Sequence, residues 1–203
     1  MPIVAHALIL AAGEGRRLGT PKVSLSVAGK WLLPQLVLTF KAAGVRKVTL
    51  VVSEDSKHLI NKLGSSHADS LMVNPNPKDG KMSSILCGLD QIPKGEPAWI
   101  HPCDTPLIKP ESLIHIQKQW SKQPERQKFL ARPVSSAQKG GHPLLAGSER
   151  IKELKGFTLK DSLRKLLQDN LEYLLDVKIP EDPGLFLNIN TKEQIKLVED
   201  LLT

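Results

Sequence analysis

One stretch near the start of the chain constrains fold and function more than any other. An apolar run at 3–10 predicts a strand buried on both faces, and it passes directly into a loop at 11–22 of small and basic residues. Glycine in such a loop lets the backbone adopt positive φ and lets a ligand approach closely. Successive N–H groups can then converge on an anion. The glycines are Gly13, Gly15 and Gly19, and the basic residues are Arg16, Arg17 and Lys22. The stretch therefore predicts a binding loop for a polyphosphate.

Two familiar phosphate-binding motifs do not fit this loop. A dinucleotide-binding motif needs G-x-G-x-x-G and an acidic residue about 20 positions further on. Here the glycine spacing is G-x-G-x-x-x-G, and the next acidic residue after Glu14 is Glu54. A P-loop needs G-x-x-x-x-G-K-[ST], which no window of the loop contains.

Composition narrows the class of partner. A length of 203 residues predicts one domain over 1–203, and a net charge of +7 favours anionic partners. Aromatic residues make up only 4% of the chain and the basic residues are scattered, which argues against a nucleic-acid platform. Phosphorylated small molecules fit better.

The chain carries no sign of a membrane or export role. No apolar run approaches the ~20 residues that cross a bilayer, and the N-terminus lacks the pattern of a signal peptide. Cys87 and Cys103 have no zinc-site or redox spacing. We therefore expect a cytoplasmic protein with free thiols.

Apolar runs alternate with helical patterns, which predicts an α/β fold with a mostly parallel sheet between helices. Ligands of such sheets gather at the carboxyl ends of the strands. The 11–22 loop, a loop at 74–81 and Asp104, just after a strand at 98–102, should all lie at that edge. In the last third of the chain, Thr158 and Asp161 predict a cap for a helix whose apolar face starts at Leu159. A Thr191–Gln194 cap predicts the final helix.

Asp104 is the leading metal-ligand candidate, because Mg²⁺ prefers oxygen ligands and is often held by one or two carboxylates plus phosphates. A turn-capping aspartate is the alternative. Asn188 and Asn190 are candidates for a second ligand, since an amide oxygen can coordinate Mg²⁺. Capping of the last helix is the alternative role for Asn190.

The 10–22 stretch also resembles a family signature, approximately L-A-A-G-x-[SG]-x-R-[ML]-G-x-P-K. This is the pattern of the MobA-like NTP transferases, and the similarity is strongest to the molybdenum cofactor cytidylyltransferase (MocA-like) members. The segment 79–89 resembles the family's G-x-[SG]-S-[SL]-x-x-G-[LI] element, and 140–143 resembles its G-H-P element.

The resemblance implies a Rossmann-like nucleotidyltransferase fold and an enzyme that moves an NMP from an NTP onto a phosphorylated acceptor. It implies Asp104 as a Mg²⁺ ligand and His142 on the acceptor side, where turn packing of His142 is the alternative. It implies catalytic roles for Arg17, Lys22 and Asp104. The implied nucleotide contacts are Leu10, Ala11, Ala12, Gly13, Glu14, Gly15, Arg17, Lys22, Gly80, Ser83 and Ser84.

The sequence leaves two features of the reaction partly undecided, namely the base of the nucleotide and the identity of the acceptor. The Ala-Ala-Gly form and Pro21-Lys22 favour CTP over GTP in the resembling families. The G-D-x-G-[AI]-R element of the cytidylyl members is absent near 154–163, which opens acceptors other than molybdopterin, such as a sugar or polyol phosphate or phospholactate. A nucleotide-binding protein without turnover is the alternative of another class, because Asn188 and Asn190 carry no charge.

Overall fold

The structure is a computed structural model that describes residues 4–15 and 17–202, with side chains up to residue 199. Arg16, one of the predicted loop cations, lies outside the described residues, as does the first residue of the predicted 3–10 strand. The strands are β1 His6–Ala11, β2 Ser26–Val27, β3 Lys30–Trp31, β4 Lys47–Val52, β5 Ser70–Val73, β6 Ala98–Pro102, β7 Leu130–Val134, β8 Leu144–Ala146 and β9 Leu174–Lys178. The helices are α1 Leu32–Ala42, α2 Glu54–Leu63, α3 Lys81–Leu89, α4 Pro110–Ser121, α5 Ser148–Lys155, α6 Leu163–Asp169 and α7 Lys192–Leu202.

Seven strands form one sheet in the order β5-β4-β1-β6-β8-β7-β9, and β2 pairs with β3 in a separate hairpin. β8 runs antiparallel to both of its neighbours, while the other pairs in the large sheet are parallel. The chain builds from β1 outward to β5 and then returns to β6 on the other side of β1. The strand order therefore reverses between β1 and β6, which is where an open α/β sheet binds its ligand.

Both faces of β1 are buried, as the uninterrupted apolar run predicts. Ala7, Ile9 and Ala11 belong to a core shared with α1 and α4, whereas Leu8 and Leu10 belong to a second core shared with α3 and α5. None of the helices in the described part of the chain combines the length and apolar character needed to cross a bilayer.

A third, smaller core lies behind the glycine loop. It joins the loop, the β2–β3 hairpin and α7, and it consists of Leu18, Leu25, Val27, Leu32, Ile189 and Val198. The sequence analysis did not predict this hairpin, whose turn takes positive φ at Ala28 and Gly29. The C-terminal helix thus supports the loop from behind, although the two are far apart in sequence.

The predicted helix that included Leu159 begins later than expected. Leu159 is 51% exposed, and α6 starts at Leu163 after Ser162, whose hydroxyl accepts the Lys165 N–H. The prediction was wrong because the Asp161 carboxylate bonds back to Thr158 N, at 2.8 Å, and closes a separate turn. Helix α5, which the sequence analysis did not predict, precedes that turn.

A buried carboxylate joins the segment after β9 to the start of α4. Asp182 is 1% exposed, and it accepts hydrogen bonds from Lys109 N (3.0 Å), Ser112 Oγ (2.6 Å) and Gly184 N (3.1 Å). A Cβ added to Gly184 would lie 2.0 Å from the Leu107 carbonyl oxygen. We call this junction the Asp182 clamp, and it brings residues 188–190 alongside Asp104.

We expect Gly184→Ala to lower the free energy of unfolding by at least about 1–3 kcal/mol, the usual cost of overpacking, because the methyl group would meet backbone that cannot move freely. Urea unfolding followed by circular dichroism measures this. Gly13→Ala is the matched control, since an added Cβ there meets nothing closer than Lys22 Cδ at 3.8 Å. Equal unfolding midpoints for the two variants would contradict this account of the clamp.

Candidate active site

Two loops at the carboxyl edge of the sheet bring together residues 82 positions apart. Lys22 opens a short 3₁₀ turn at the end of the glycine loop, and Asp104 follows β6. Because β1 pairs in parallel with β6, the two strands end side by side. The Lys22 ammonium lies 2.5 Å from Asp104 Oδ2, and the side chains are 21% and 14% exposed.

A third segment completes this arrangement. The Asn190 amide oxygen, Oδ1, also lies 2.5 Å from the Lys22 ammonium. Asn190 is brought there by the neighbouring Ile189, whose N–H donates to the Asp104 carbonyl at 2.7 Å. We call Lys22, Asp104 and Asn190 the cation triad, since two oxygens of the triad face one cation.

The N-terminus of α7 fixes the backbone of Asn190. Gln194 Oε1 accepts from Asn190 N at 2.7 Å and from Thr191 N at 3.1 Å, and Gln194 N donates to Thr191 Oγ1 at 3.4 Å. This is the reciprocal cap that the Thr191–Gln194 spacing predicts, and it is confirmed. Gln194 therefore positions Asn190, a role that the sequence analysis did not assign to it.

The two candidate metal ligands, Asn188 and Asn190, have different hydrogen-bond partners. Asn188 Oδ1 accepts the Thr105 hydroxyl at 2.8 Å, so its oxygen is directed to the loop after β6. Of the two, Asn190 is the one brought to Lys22 and Asp104.

Two adjoining cavities run along the glycine loop. The first has a volume of about 210 Å³ and lies between β1, β6 and the start of α3; it is lined by Leu10, Ala12, Gly13, Lys22, Pro77, Gly80, Lys81, Ser84, Pro102, Cys103 and Asp104. The second, about 420 Å³, is lined by Ala12, Gly13, Glu14, Gly15, Arg17, Lys22, Pro77, Lys78 and Asn190. Most of the predicted nucleotide-contact residues therefore share one continuous depression.

Two of the predicted contacts line neither cavity. Ala11 is fully buried in the core that joins the sheet to α1 and α4. Ser83 Oγ lies 2.9 Å from both the Asn76 and Gly80 carbonyl oxygens and 2.8 Å from Asn74 Nδ2, so it shapes the loop beneath the cavity. Ser84 does line the cavity, and it also contacts Asn74 Nδ2 at 3.0 Å.

Sequence reasoning missed three polar residues of this edge. Lys78 and Lys81 line the cavities, and Asn74 is a buried amide that organises the 74–84 loop. The available signal was the presence of two lysines in a Pro- and Gly-containing loop that follows a strand. Such a loop at the carboxyl edge of a parallel sheet is a natural place for anion-binding residues.

Two histidines lie beside this edge, and both are neutral at pH 7. Burial and, to a smaller extent, the nearby His142 lower the pKa of His101 to about 3. Burial also lowers the pKa of His142 to about 4; the Lys81 charge acts in the same direction and the Asp104 charge opposes it. The charges of Lys81 and Asp104 therefore both act on the His142 ring. The backbone N–H of His142 donates to the Leu185 carbonyl at 2.8 Å.

Cys103 lines the first cavity but is not an activated nucleophile. Burial and, to a smaller extent, the Asp104 charge raise the pKa of its thiol to about 12. The thiol is therefore protonated at neutral pH and behaves as a small apolar group.

The donor set fits an oxygen-preferring dication that shares its ligands with phosphate. Asp104 Oδ1 is buried and has no hydrogen-bond partner among the described residues. Over the same residues, no group of three or more His, Cys, Asp or Glu side chains could enclose a metal. One carboxylate and one amide oxygen are few ligands for Zn²⁺, whereas Mg²⁺ is usually bound by only one or two carboxylates and completes its shell with phosphates and waters.

The fold and this edge define a nucleotidyltransferase. The chain belongs to the MobA-like NTP transferase family, whose model matches residues 7–175. It is 27% identical, over 92% of each chain, to a Bacillus cereus (strain ATCC 10987 / NRS 248) protein named "Probable molybdenum cofactor guanylyltransferase".

Solved structures share the fold. Rv0371c from Mycobacterium tuberculosis H37Rv superposes with a TM-score of 0.79 at 17% identity, covering 96% of this chain and 97% of that one. A second structure of Rv0371c, a complex with manganese, gives a TM-score of 0.74 at 15% identity, with 96% and 97% coverage.

The low pKa values of His101 and His142 predict that stability falls in mild acid. Between about pH 4 and 6.5 the unfolded chain binds protons at these histidines that the folded chain does not. The free energy of unfolding should therefore decrease as pH falls below 6.5, by up to about 1.4 kcal/mol per pH unit for each histidine.

Urea unfolding at several pH values between 7 and 4.5 measures this slope. We expect His142→Gln to reduce this slope by up to about 1.4 kcal/mol per pH unit, the contribution of one histidine. The matched substitution for comparison is His58→Gln, which removes an exposed imidazole on α2. A wild-type slope in His142→Gln would show that His142 titrates normally in the folded protein.

Proposed function

We propose that this nucleotidyltransferase moves CMP from CTP onto a phosphorylated acceptor of the molybdopterin type, with Mg²⁺ and with release of pyrophosphate. The observation that carries the proposal is the cation triad, in which Lys22 meets Asp104 and Asn190 beside the glycine-loop cavities. We also propose that the chain works as a single domain, because α7 supports the glycine loop through a shared core.

The two cavities suggest how a nucleotide lies. The second cavity is lined by three cations, Arg17, Lys22 and Lys78, and by backbone of the glycine loop, which suits the triphosphate. The first cavity meets the start of α3 and Ser84, which suits the nucleoside. Lys22 lines both, so the α-phosphate would lie near it.

In the proposed reaction an acceptor phosphate oxygen attacks the α-phosphorus of the nucleotide. The bond from that phosphorus to the bridging oxygen breaks, and the oxygen leaves with pyrophosphate. Backbone N–H groups of 12–15 hold the β- and γ-phosphates, while Arg17 and Lys22 neutralise the negative charge that develops. Positioning and charge stabilisation supply most of the catalysis in such transfers.

Asp104 and Asn190 would hold the metal, which supplies Lewis-acid stabilisation at the α-phosphate when bound. The partnerless Asp104 Oδ1 supports this assignment, because a buried carboxylate oxygen normally has a partner. The manganese complex of Rv0371c, a protein of the same fold, is consistent with a divalent ion.

On the acceptor side, a neutral His142 can donate or accept a hydrogen bond without adding charge. Lys81, which acts on the pKa of His142, would supply the positive charge that an acceptor phosphate needs. The molybdopterin assignment draws on the name of the Bacillus cereus relative.

GMP transfer from GTP is the second candidate. The name of the Bacillus cereus relative favours it, whereas the Ala11-Ala12-Gly13 and Pro21-Lys22 sequences of this chain favour CTP.

A nucleotide panel separates the two. With molybdopterin, Mg²⁺ and each NTP in turn, we expect pyrophosphate release and a cytosine dinucleotide product, identified by mass spectrometry, at least about tenfold faster with CTP than with GTP. A faster reaction with GTP would establish the guanylyl alternative. Turnover only with a sugar phosphate, a polyol phosphate or phospholactate in place of molybdopterin would refute the acceptor.

Charge removal at Asp104 tests the site itself. We expect Asp104→Asn to lower turnover by about 10²–10³-fold, the usual loss when a stabilising group at a developing charge is removed. Lys22→Ala should be at least as damaging. Asp79→Asn is the matched control, since Asp79 is an exposed carboxylate of the same edge.

Circular dichroism must show that these variants are folded. Wild-type rates in both Asp104→Asn and Lys22→Ala would refute the assigned roles. If NTP plus Mg²⁺ raises the melting temperature of the wild-type protein but no acceptor is modified, the chain is a nucleotide-binding protein without turnover.

A further inference from the structure

The Lys22 ammonium already holds the two oxygens that would bind a metal. It lies 2.5 Å from Asp104 Oδ2 and 2.5 Å from Asn190 Oδ1. The two oxygens come from different loops, and both converge on one positive charge. The Lys22 ammonium therefore supplies the positive charge that these two oxygens contact.

We propose that Lys22 and the divalent ion compete for Asp104 and Asn190, so that the metal binds tightly only together with a nucleotide. This inference rests on the proposed function, since it takes the triphosphate as the group that draws Lys22 away. It assigns to Lys22 a role in the order of binding, in addition to its role in stabilising charge.

Geometry and charge prevent Lys22 and a dication from sharing Asp104 Oδ2 and Asn190 Oδ1. Mg²⁺ coordinates oxygen at about 2.1 Å, so an ion bound to Asp104 Oδ2 could lie no more than about 4.6 Å from the ammonium. At such a distance a dication and an ammonium repel strongly, because the Lys22 and Asp104 side chains are only 21% and 14% exposed. A metal ion that binds both Asp104 Oδ2 and Asn190 Oδ1 therefore requires Lys22 to leave.

The structure provides Lys22 with a second place to go. Its side chain lines both cavities, and the larger one is the proposed triphosphate site. Lysine carries its charge on a flexible four-carbon stem, so it can turn from the carboxylate to a phosphate without movement of the backbone. A nucleotide thus offers Lys22 a new anionic partner and frees Asp104 and Asn190 at the same time.

The charge of the partly buried Asp104 is compensated in both states. Without nucleotide, Lys22 compensates its charge; with nucleotide, the divalent ion does so. An unpaired, partly buried carboxylate would be unfavourable, so the exchange avoids an unstable intermediate. The partnerless Asp104 Oδ1 remains available for the metal or its bound water.

Binding of Mn²⁺ to the full chain, followed by electron paramagnetic resonance without nucleotide, tests the proposal. We expect Lys22→Met to bind Mn²⁺ at least about tenfold more tightly than the wild type, because a competing cation has been removed. Lys22→Gln is a second variant that keeps a hydrogen-bond donor beside Asp104, and it should show the same gain. Mn²⁺ should also raise the melting temperature of either variant more than that of the wild type.

Lys165→Met is the matched control, because Lys165 lies on α6, pairs with Asp161 and Asp169, and lines neither cavity. Loss of its charge should change Mn²⁺ affinity by no more than about twofold. Asp104→Asn placed in the Lys22→Met background should abolish the gain. The proposal is overturned if the Lys22 variants bind Mn²⁺ no more tightly than wild type or Lys165→Met.

Repeating the titration with CTP, and in parallel with GTP, separates this proposal from the proposed function. If nucleotide produces Asp104-dependent Mn²⁺ binding in the wild type but the Lys22 variants show no gain alone, only the competition fails. If neither nucleotide produces Asp104-dependent binding, the metal assignment under the proposed function fails as well.

Discussion

The parallel pairing of β1 with β6 is the constraint on which the candidate active site depends. It makes the glycine loop and the Asp104 turn emerge side by side at the point where the strand order reverses. Lys22 and Asp104 can then form a partly buried ion pair, although 81 residues separate them in the chain. Without that pairing, each loop would present charged residues to solvent and no site would exist.

The third member of the triad depends on a different set of contacts. Asn190 reaches Lys22 because the Asp182 clamp, the Ile189–Asp104 backbone bond and the Gln194 cap hold its segment from three directions. Most of these contacts use backbone groups or buried polar side chains rather than exposed ion pairs. Such contacts fix geometry well, because a buried polar group that loses its partner is costly.

Sequence reasoning was most successful where the pattern is local. The buried β1 and the Thr191–Gln194 cap are confirmed, because apolar runs and capping residues act over a few positions. It failed at Leu159, where a strong helical pattern was interrupted by the Asp161 turn. It also missed the β2–β3 hairpin, whose strands of two residues each carry too little pattern to detect.

The sequence by itself determined the class of the molecule: a charged glycine loop after a buried strand and a carboxylate after another, in a chain of alternating strands and helices. Only the tertiary structure decided which residues meet. It directed Asn190 to Lys22 and Asn188 to Thr105, buried Ala11 in the core, and added Lys78 and Lys81 to the cavities. The physical reason is that side-chain direction depends on strand register, loop path and packing between distant segments, which no local pattern encodes.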